Sequence, residues 1–176
     1  MHVSVTAVGA DRPGIVAAVT EVLLDHGANV EDSRMAILGG HFAMVLIVAL
    51  PDGSDPDALG AALQRPAKSL DLVVSVRPVA EVAPELATGA PYVVSVYGAD
   101  RPGIVHRVSK LLAEQRVNIS DLATHVVEGD PPVYVMLLDV TVPAGADEAA
   151  IEAAMRVLAG ELGIDVSMRA IEPETL

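Results

Sequence analysis

One segment of eight residues occurs twice in this chain and constrains its architecture more than any other feature. Gly9–Val16 reads GADRPGIV, and the same letters return 89 residues later as Gly98–Val105. Further matches lie 89 or 92 residues apart: Asn29 with Asn118, Asp32 with Asp121, Met44 with Met136 and Pro51 with Pro143. A repeat this regular predicts two copies of one structural module. The change in spacing places a three-residue insertion near Glu128–Pro132, in a turn of the second copy.

The two copies are separated by a segment without clear periodicity. Residues 79–91 show neither strand alternation nor a strong helical stripe, and they contain two prolines and one glycine that break regular structure. We therefore predict a first domain at residues 1–78, a linker at 79–91 and a second domain at 92–176.

Each copy has the same order of predicted elements. A β-rich run ends at the GADRPG loop, and apolar residues at helical spacing follow it. Two further β-rich runs flank Gly39-Gly40, a pair that supplies the positive φ angles of a tight hairpin. A second helix and a last strand complete the copy. The predicted strands are Val3–Val8, Asn29–Leu38, His41–Leu50 and Leu72–Val76 in the first copy, with Tyr92–Tyr97 and Ile164–Met168 as the first and last in the second.

The order βαββαβ predicts an α+β fold with two ferredoxin-like domains. In each, both helices cover one face of a four-stranded antiparallel sheet. The third strand of the first copy is apolar on both faces, since Phe42, Met44 and Leu46 alternate with Ala43 and Val45. An apolar sheet face without a helix marks an interface. We expect the copies to pack on each other or on a second chain, as in a homodimer.

Composition excludes several classes of function. The chain has 24 acidic and 11 basic residues, a net charge of −13 that repels phosphate backbones. Direct nucleic-acid binding is therefore not expected. The longest apolar run, Phe42–Leu50, is far shorter than the roughly 20 residues of a membrane-spanning helix. The start of the chain does not resemble a signal peptide and there is no cysteine, so we expect a cytoplasmic protein.

The repeated loop is the candidate binding site. It lies between a strand and a helix, where unpaired backbone N–H groups and the helix dipole attract an anion such as a carboxylate. The alternative is purely structural, because Asp11 and Asp100 are good N-cap residues and Pro13 and Pro102 suit a first helical turn. Glycine so early in a helix favours a close approach of a ligand to the backbone, or tight packing of the helix on a strand.

Asn29 and Asn118 open the second strand of each copy. We expect them near the same end of the sheet as the loop, where their amide oxygens accept hydrogen bonds from an ammonium group. The alternative is that they are only turn residues. Loop N–H groups for a carboxylate and side-chain oxygens for an ammonium together describe a site for a small amino acid, with glycine or serine as candidates. An affinity up to about micromolar suits such a ligand.

This combination resembles a known family. A βαββαβ module with Asp-Arg-Pro-Gly after the first strand, and Asn-Val or Asn-Ile opening the second, is similar to the ACT domain, whose ligands often sit between paired domains. Two such units filling the chain look most like the glycine cleavage system transcriptional repressor family, whose members act through a protein partner. The motif also occurs in ACT modules attached to enzymes. The resemblance implies these ligand-facing residues: Asp11, Gly14, Ile15, Asn29, Val30, Asp100, Gly103, Ile104, Asn118 and Ile119.

Catalytic motifs are missing from the sequence. It has no cysteine, no Gly-x-Ser-x-Gly elbow and no phosphate-binding loop, and its five histidines have no metal-ligand spacing. We therefore predict a regulatory protein without enzymatic activity, metal or cofactor, which senses an amino acid and signals to a regulatory protein or an enzyme. Two alternatives remain: a scaffold that recruits partners without a ligand, and an enzyme with a cleft holding two carboxylates or a carboxylate and His41.

Overall fold

The computed structural model describes residues 1–79 and 89–171. The chain divides into two compact units, Met1–Val82 and Ala83–Leu176, and each unit has a hydrophobic core of its own. None of the described helices combines the length and the apolar composition that crossing a lipid bilayer requires.

The first unit has the predicted order βαββαβ. Its elements are β1 His2–Ala10, α1 Ile15–Asp25, β2 Asn29–Leu38, β3 His41–Ala49, α2 Pro56–Leu70 and β4 Leu72–Pro78. The strands form one antiparallel sheet in the order β2-β3-β1-β4. The predicted α+β ferredoxin-like fold is therefore confirmed.

Alternation along the strands places the core between the sheet and the helices. Val3, Val5 and Ala7 of β1 are fully buried, and every second residue of β3 from Phe42 is buried beside them. Helix α1 adds Ile15, Val19, Val22 and Leu23 of the apolar stripe that its spacing predicts. Val16, which the spacing also assigned to this stripe, is 42% exposed. The other helix, α2, is capped by Asp55, whose carboxylate accepts a hydrogen bond from the Asp57 N–H at 2.9 Å.

The hairpin between β2 and β3 turns at the predicted glycine pair. Gly39 and Gly40 have φ angles of 57° and 80°, which residues other than glycine rarely adopt. The register of the hairpin follows directly from this two-residue turn, with Leu38 opposite His41.

The second unit repeats the first. Its elements are β5 Gly89–Gly98, α3 Ile104–Glu114, β6 Asn118–Val127, β7 Val133–Pro143, α4 Glu148–Leu162 and β8 Ile164–Ala170, with the sheet order β6-β7-β5-β8. The insertion predicted near Glu128–Pro132 lies between β6 and β7, as expected.

Strand β5 begins inside the segment that we predicted as a linker. Gly89, Ala90 and Pro91 pair in register with the end of β7. A Cβ atom on Gly89 would lie 2.3 Å from the Val142 carbonyl oxygen, so glycine serves here as a point of close strand contact and not as a breaker. The rest of the predicted linker after Val79 lies outside the described residues.

Candidate functional site

The β1–α1 loop, Asp11–Gly14, ends in a glycine that is the N-cap of α1. Gly14 has a φ of 94°, in the left-handed region that favours glycine. No atom lies within 4 Å of a Cβ built on it, so the backbone conformation and not lack of space requires glycine. Gly103 has the same φ and the same open surroundings in the β5–α3 loop.

The assignment of Asp11 and Asp100 as N-caps is wrong. The caps are the two glycines three residues later, and neither helix has a side-chain capping hydrogen bond. Within the described residues the Asp11 carboxylate makes no hydrogen bond or ion pair, whereas the Asp11 N–H donates to the Gly40 carbonyl oxygen at 2.9 Å. The loop is therefore anchored by its backbone, and its carboxylate stays exposed to solvent.

The prolines of the loops also differ from expectation. Pro13 and Pro102 each precede the cap glycine and are not in the first helical turn. The fixed φ angle of proline restricts the backbone conformation of the loop immediately before the cap glycine. Together, proline and glycine give the two loops the same backbone course into their helices.

The start of each helix presents unpaired N–H groups. The first intrahelical bonds are donated by the Ala18 N–H to Gly14 and by the Arg107 N–H to Gly103, both at 2.9 Å. The N–H groups of the three preceding residues in each helix have no side-chain cap, and the first turns contain no acidic residue. The positive end of the helix dipole adds to these donors. Chemically, this arrangement attracts a carboxylate.

The side chains of Ile15 and Ile104 face away from these donors. They are 1% and 2% exposed and belong to the hydrophobic cores. Only their backbone N–H groups are therefore available to a ligand at the loop.

Asn29 lies at the opposite end of the sheet from the loop, so its predicted position is wrong. It pairs with Ala49, which pairs with His2 at the start of β1, whereas the loop follows the end of β1. Helix α1 returns the chain to the start of β1, and its 11 residues span about 16 Å. The same register places Asn118 away from its loop. A ligand as small as glycine is too short to contact both groups within one unit.

One open groove nevertheless connects the two ends of the first unit. It has a volume of about 850 Å³ and runs along α1 from Gly14 to Asn29 and Val30. Small side chains at Ala17 and Ala18 line its middle. In the second unit, Asn118 is exposed and Ile119 is half-buried against the core.

The second loop has polar neighbours that the first lacks. Tyr134 of β7 occupies the place of Phe42 in the repeat, and its burial, with the negative charge of Asp100, raises the pKa of its hydroxyl. A hydrogen bond with Thr124 acts in the opposite direction. Sequence reasoning missed this cluster, although the change from Phe42 to Tyr134 at the 92-residue spacing was a visible signal.

Charge also distinguishes the two units. Where Ala17 and Ala18 follow the first loop, His106 and Arg107 follow the second. Arg107 pairs with Glu161 of α4, and both line an open groove of about 460 Å³ between α3 and α4. The two loops thus share their backbone but differ in their surroundings.

Histidine, aspartate and glutamate side chains do not gather into a metal-binding cluster. In residues 1–79 and 89–171, no group of three or more could hold a metal ion. Each loop has backbone donors, one carboxylate and one guanidinium group, from Asp11 and Arg12 in the first unit and from Asp100 and Arg101 in the second. Arg101 donates a hydrogen bond to the Leu162 carbonyl oxygen at 3.4 Å.

The sequence and the fold together match a family of known modules. The family model of the ACT domain matches residues 2–77 and again residues 91–169. The chain belongs to the ACT domain family. Both of its units are ACT units, and the resemblance inferred from the repeated loop is confirmed.

The relatives include a protein that matches this chain over most of both lengths. The glycine cleavage system transcriptional repressor of Escherichia coli strain K12 is 30% identical over 174 residues, covering 97% of this chain and 90% of that protein. A protein of Methanopyrus kandleri with the name UPF0237 protein MK1213 is 52% identical over 48 residues, which are 27% of this chain. The full-length match with a repressor supports a regulatory role.

Solved structures contain the same tandem ACT fold. An unknown protein from Galdieria sulphuraria superposes with a TM-score of 0.82 at 30% identity, over 97% of this chain and 98% of that one. A putative glycine cleavage system transcriptional repressor superposes with a TM-score of 0.72 at 22% identity, over 98% of both chains. This second likeness concerns the fold alone.

Proposed function

We propose that this protein is a non-enzymatic regulator that binds a small amino acid at its two loops and signals that state to a protein partner. The observation that carries the proposal is the pair of helix starts at Gly14 and Gly103. Each combines unpaired N–H groups with an aspartate that caps nothing. A loop whose carboxylate has no structural role is available for a ligand.

The chemistry of the loop suits a zwitterion. The N–H groups of Ile15, Val16 and Ala17 donate to the ligand carboxylate, and the Asp11 carboxylate accepts from its ammonium group. Asp100 has the corresponding role in the second unit. The ammonium and the carboxylate of glycine or serine then both lie at the loop end of the ACT unit. Asn29 lines the groove along α1 and does not contact this ligand.

The partner is proposed to be a protein in the cytoplasm. A net charge of −13 opposes direct contact with nucleic acid. The Escherichia coli relative is a transcriptional repressor of the glycine cleavage system. A related role for this chain is regulation of transcription through a DNA-binding partner, with glycine or serine as the signal.

A second candidate function is a ligand-independent scaffold. It is favoured by exposed apolar side chains on the sheets, such as Val45 and Val73, which suit association. Capture of a partner that is equally strong with and without amino acids would support the scaffold over the sensor.

Removing the negative charge of the loop tests the proposal. We expect Asp11→Asn combined with Asp100→Asn to weaken glycine and serine binding about 10-fold to 100-fold, because a hydrogen bond to a charged group contributes about 1.5–3 kcal/mol. Isothermal calorimetry measures the change. Asp52→Asn, in an exposed turn away from the β1–α1 loop, is the matched control and should bind like the wild type. Equal affinity of all three proteins would refute the role of the loop carboxylates.

A further inference from the structure

Two arginine side chains connect the second loop and the start of α3 to the last turn of α4. Arg101, in the loop, donates a hydrogen bond to the Leu162 carbonyl oxygen at 3.4 Å. Arg107, near the start of α3, forms an ion pair with Glu161. The last carbonyl groups of a helix have no partner within the helix, and an arginine side chain satisfies such a group. The loop therefore supplies part of the C-terminal cap of α4.

The first unit lacks these connections. The repeat places Ala18 at the position of Arg107, and Ser69 at the position of Glu161. The Ser69 hydroxyl donates to the Pro66 carbonyl oxygen at 3.0 Å, within its own helix. Arg12, which corresponds to Arg101, makes no hydrogen bond or ion pair within residues 1–79 and 89–171. In the described part of the chain, side chains thus join the second loop to the end of its neighbouring helix, and they do not join the first.

The two arginines are next to the proposed ligand contacts. Under the proposed function, the Asp100 carboxylate accepts from the ammonium group of the ligand, and the N–H groups up to His106 donate to its carboxylate. Arg101 directly follows Asp100, and Arg107 directly follows His106. A ligand that fixes the backbone at Asp100 and His106 therefore also fixes the two points from which side chains extend to α4.

The last turn of α4 is the element that responds to this restraint. The turn ends at Gly163, and an open groove of about 460 Å³ between α3 and α4 leaves the pair of Arg107 and Glu161 in contact with solvent. Helix ends open and close locally at small cost in free energy. Exposed ion pairs change such an equilibrium about twofold to fivefold. Coupling is reciprocal, so contacts that the ligand strengthens also raise the affinity for the ligand.

We propose that an amino acid at the second loop stabilises the last turn of α4 through Arg101 and Arg107, and that binding at the first loop has no such effect on α2. The inference rests on the proposed function, because it requires a ligand at the loops. It assigns transmission of the signal to the second unit. The surface that changes with the ligand is the groove between α3 and α4, lined in part by Lys110 and Val157.

Hydrogen exchange followed by mass spectrometry tests the coupling in the wild type. The probe is glycine or serine at saturation, whichever binds more tightly in calorimetry. Backbone amides of residues 160–163 should exchange about twofold to fivefold more slowly with the ligand than without it. The equivalent amides of residues 68–71, at the end of α2, should keep the same rate.

Removing the ion pair should weaken the coupling in both directions. Glu161→Gln and Arg107→Gln should each reduce the ligand-dependent slowing at residues 160–163, and each should weaken binding at the second loop about twofold. The combined variant should lose no more than either single variant, because both substitutions break one contact. Glu114→Gln is the matched control, since its carboxylate pairs at 3.9 Å with Lys110 of the same helix. Circular dichroism verifies that all variants are folded.

Building the ion pair into the first unit is the complementary experiment. Ala18→Arg combined with Ser69→Glu places the same pair at the equivalent positions, and residues 68–71 should then exchange more slowly when the ligand is bound. Unchanged exchange at residues 160–163 in a wild type that binds the ligand would overturn the coupling alone. Equal slowing in both units of the wild type, or a Glu161→Gln variant that behaves like Glu114→Gln, would do the same. A wild type that binds neither amino acid in calorimetry refutes the proposed function and the coupling together.

Discussion

Replacing Leu63 with alanine should lower the free energy of unfolding of the first unit by about 2–5 kcal/mol, which is a large part of the stability of a small domain. Leu63 lies on α2, is 0% exposed and packs in the core between helix and sheet. Removal of its side chain leaves a cavity and loses apolar burial. Urea unfolding followed by circular dichroism measures the change.

Leu24→Ala is the matched control for this prediction. Leu24 is on α1 but 75% exposed, so its replacement should change the free energy of unfolding by less than about 0.5 kcal/mol. Similar losses for Leu63→Ala and Leu24→Ala would contradict the placement of the core between α2 and the sheet.

Gly9→Val should lower the free energy of unfolding of the first unit by about 3 kcal/mol. Gly9 pairs with Leu72 of β4, and a Cβ atom there would lie 2.6 Å from the Asp71 carbonyl oxygen and 2.7 Å from Leu72 Cδ2. The backbone at the junction of α2 and β4 has to move before a larger side chain fits. Thermal unfolding monitored by circular dichroism reports the loss.

Thr6→Val on the same strand tests whether the effect is specific to that position. Thr6 is half-buried and points to the face of the sheet away from the helices, since Val5 and Ala7 on either side of it are buried in the core, so we expect a change within about 0.5 kcal/mol. If Gly9→Val unfolds at the same temperature as Thr6→Val, the close approach between β1 and β4 is not a constraint on the sequence.

The fold was predictable because its signals are local. β-rich runs bounded by turn residues predict the strands, as in β2, where the observed bounds of Asn29–Leu38 equal the predicted ones. The pair Gly39-Gly40 predicts the hairpin and hence its register. Helical spacing of apolar residues is sufficient to identify the buried stripe of α1.

The details of the site depended on tertiary geometry that one sequence does not contain. Whether Asp11 or Gly14 caps α1 is decided by the φ of 94° at Gly14, a backbone conformation that the sequence alone does not report. The position of Asn29 depends on the direction in which α1 returns along the sheet. Gly89 was interpreted as a residue that breaks regular structure. Its position beside Val142 depends on the pairing of β5 with β7, which the sequence does not show.

Correcting the cap changes the meaning of the repeated loop. The carboxylate of an aspartate that caps a helix already accepts a hydrogen bond, whereas Asp11 and Asp100 are exposed in loops that lead into helices without a side-chain cap. The two ACT units therefore have the same candidate contacts for a zwitterion, and they differ in their surroundings at Phe42 and Tyr134. Unequal affinities of the two loops are expected on this basis.

The most direct test of the central claim is thermal unfolding of the wild type with glycine, serine, N-acetylglycine and glycinamide. Glycine or serine at 100 times its dissociation constant should stabilise the protein by about 2.7 kcal/mol and raise its melting temperature in a saturable way. N-acetylglycine lacks the ammonium group and glycinamide lacks the carboxylate, so neither should stabilise it comparably. No increase with either amino acid at millimolar concentration, or an equal increase with the blocked compounds, would contradict a loop that recognises both charged ends of an amino acid.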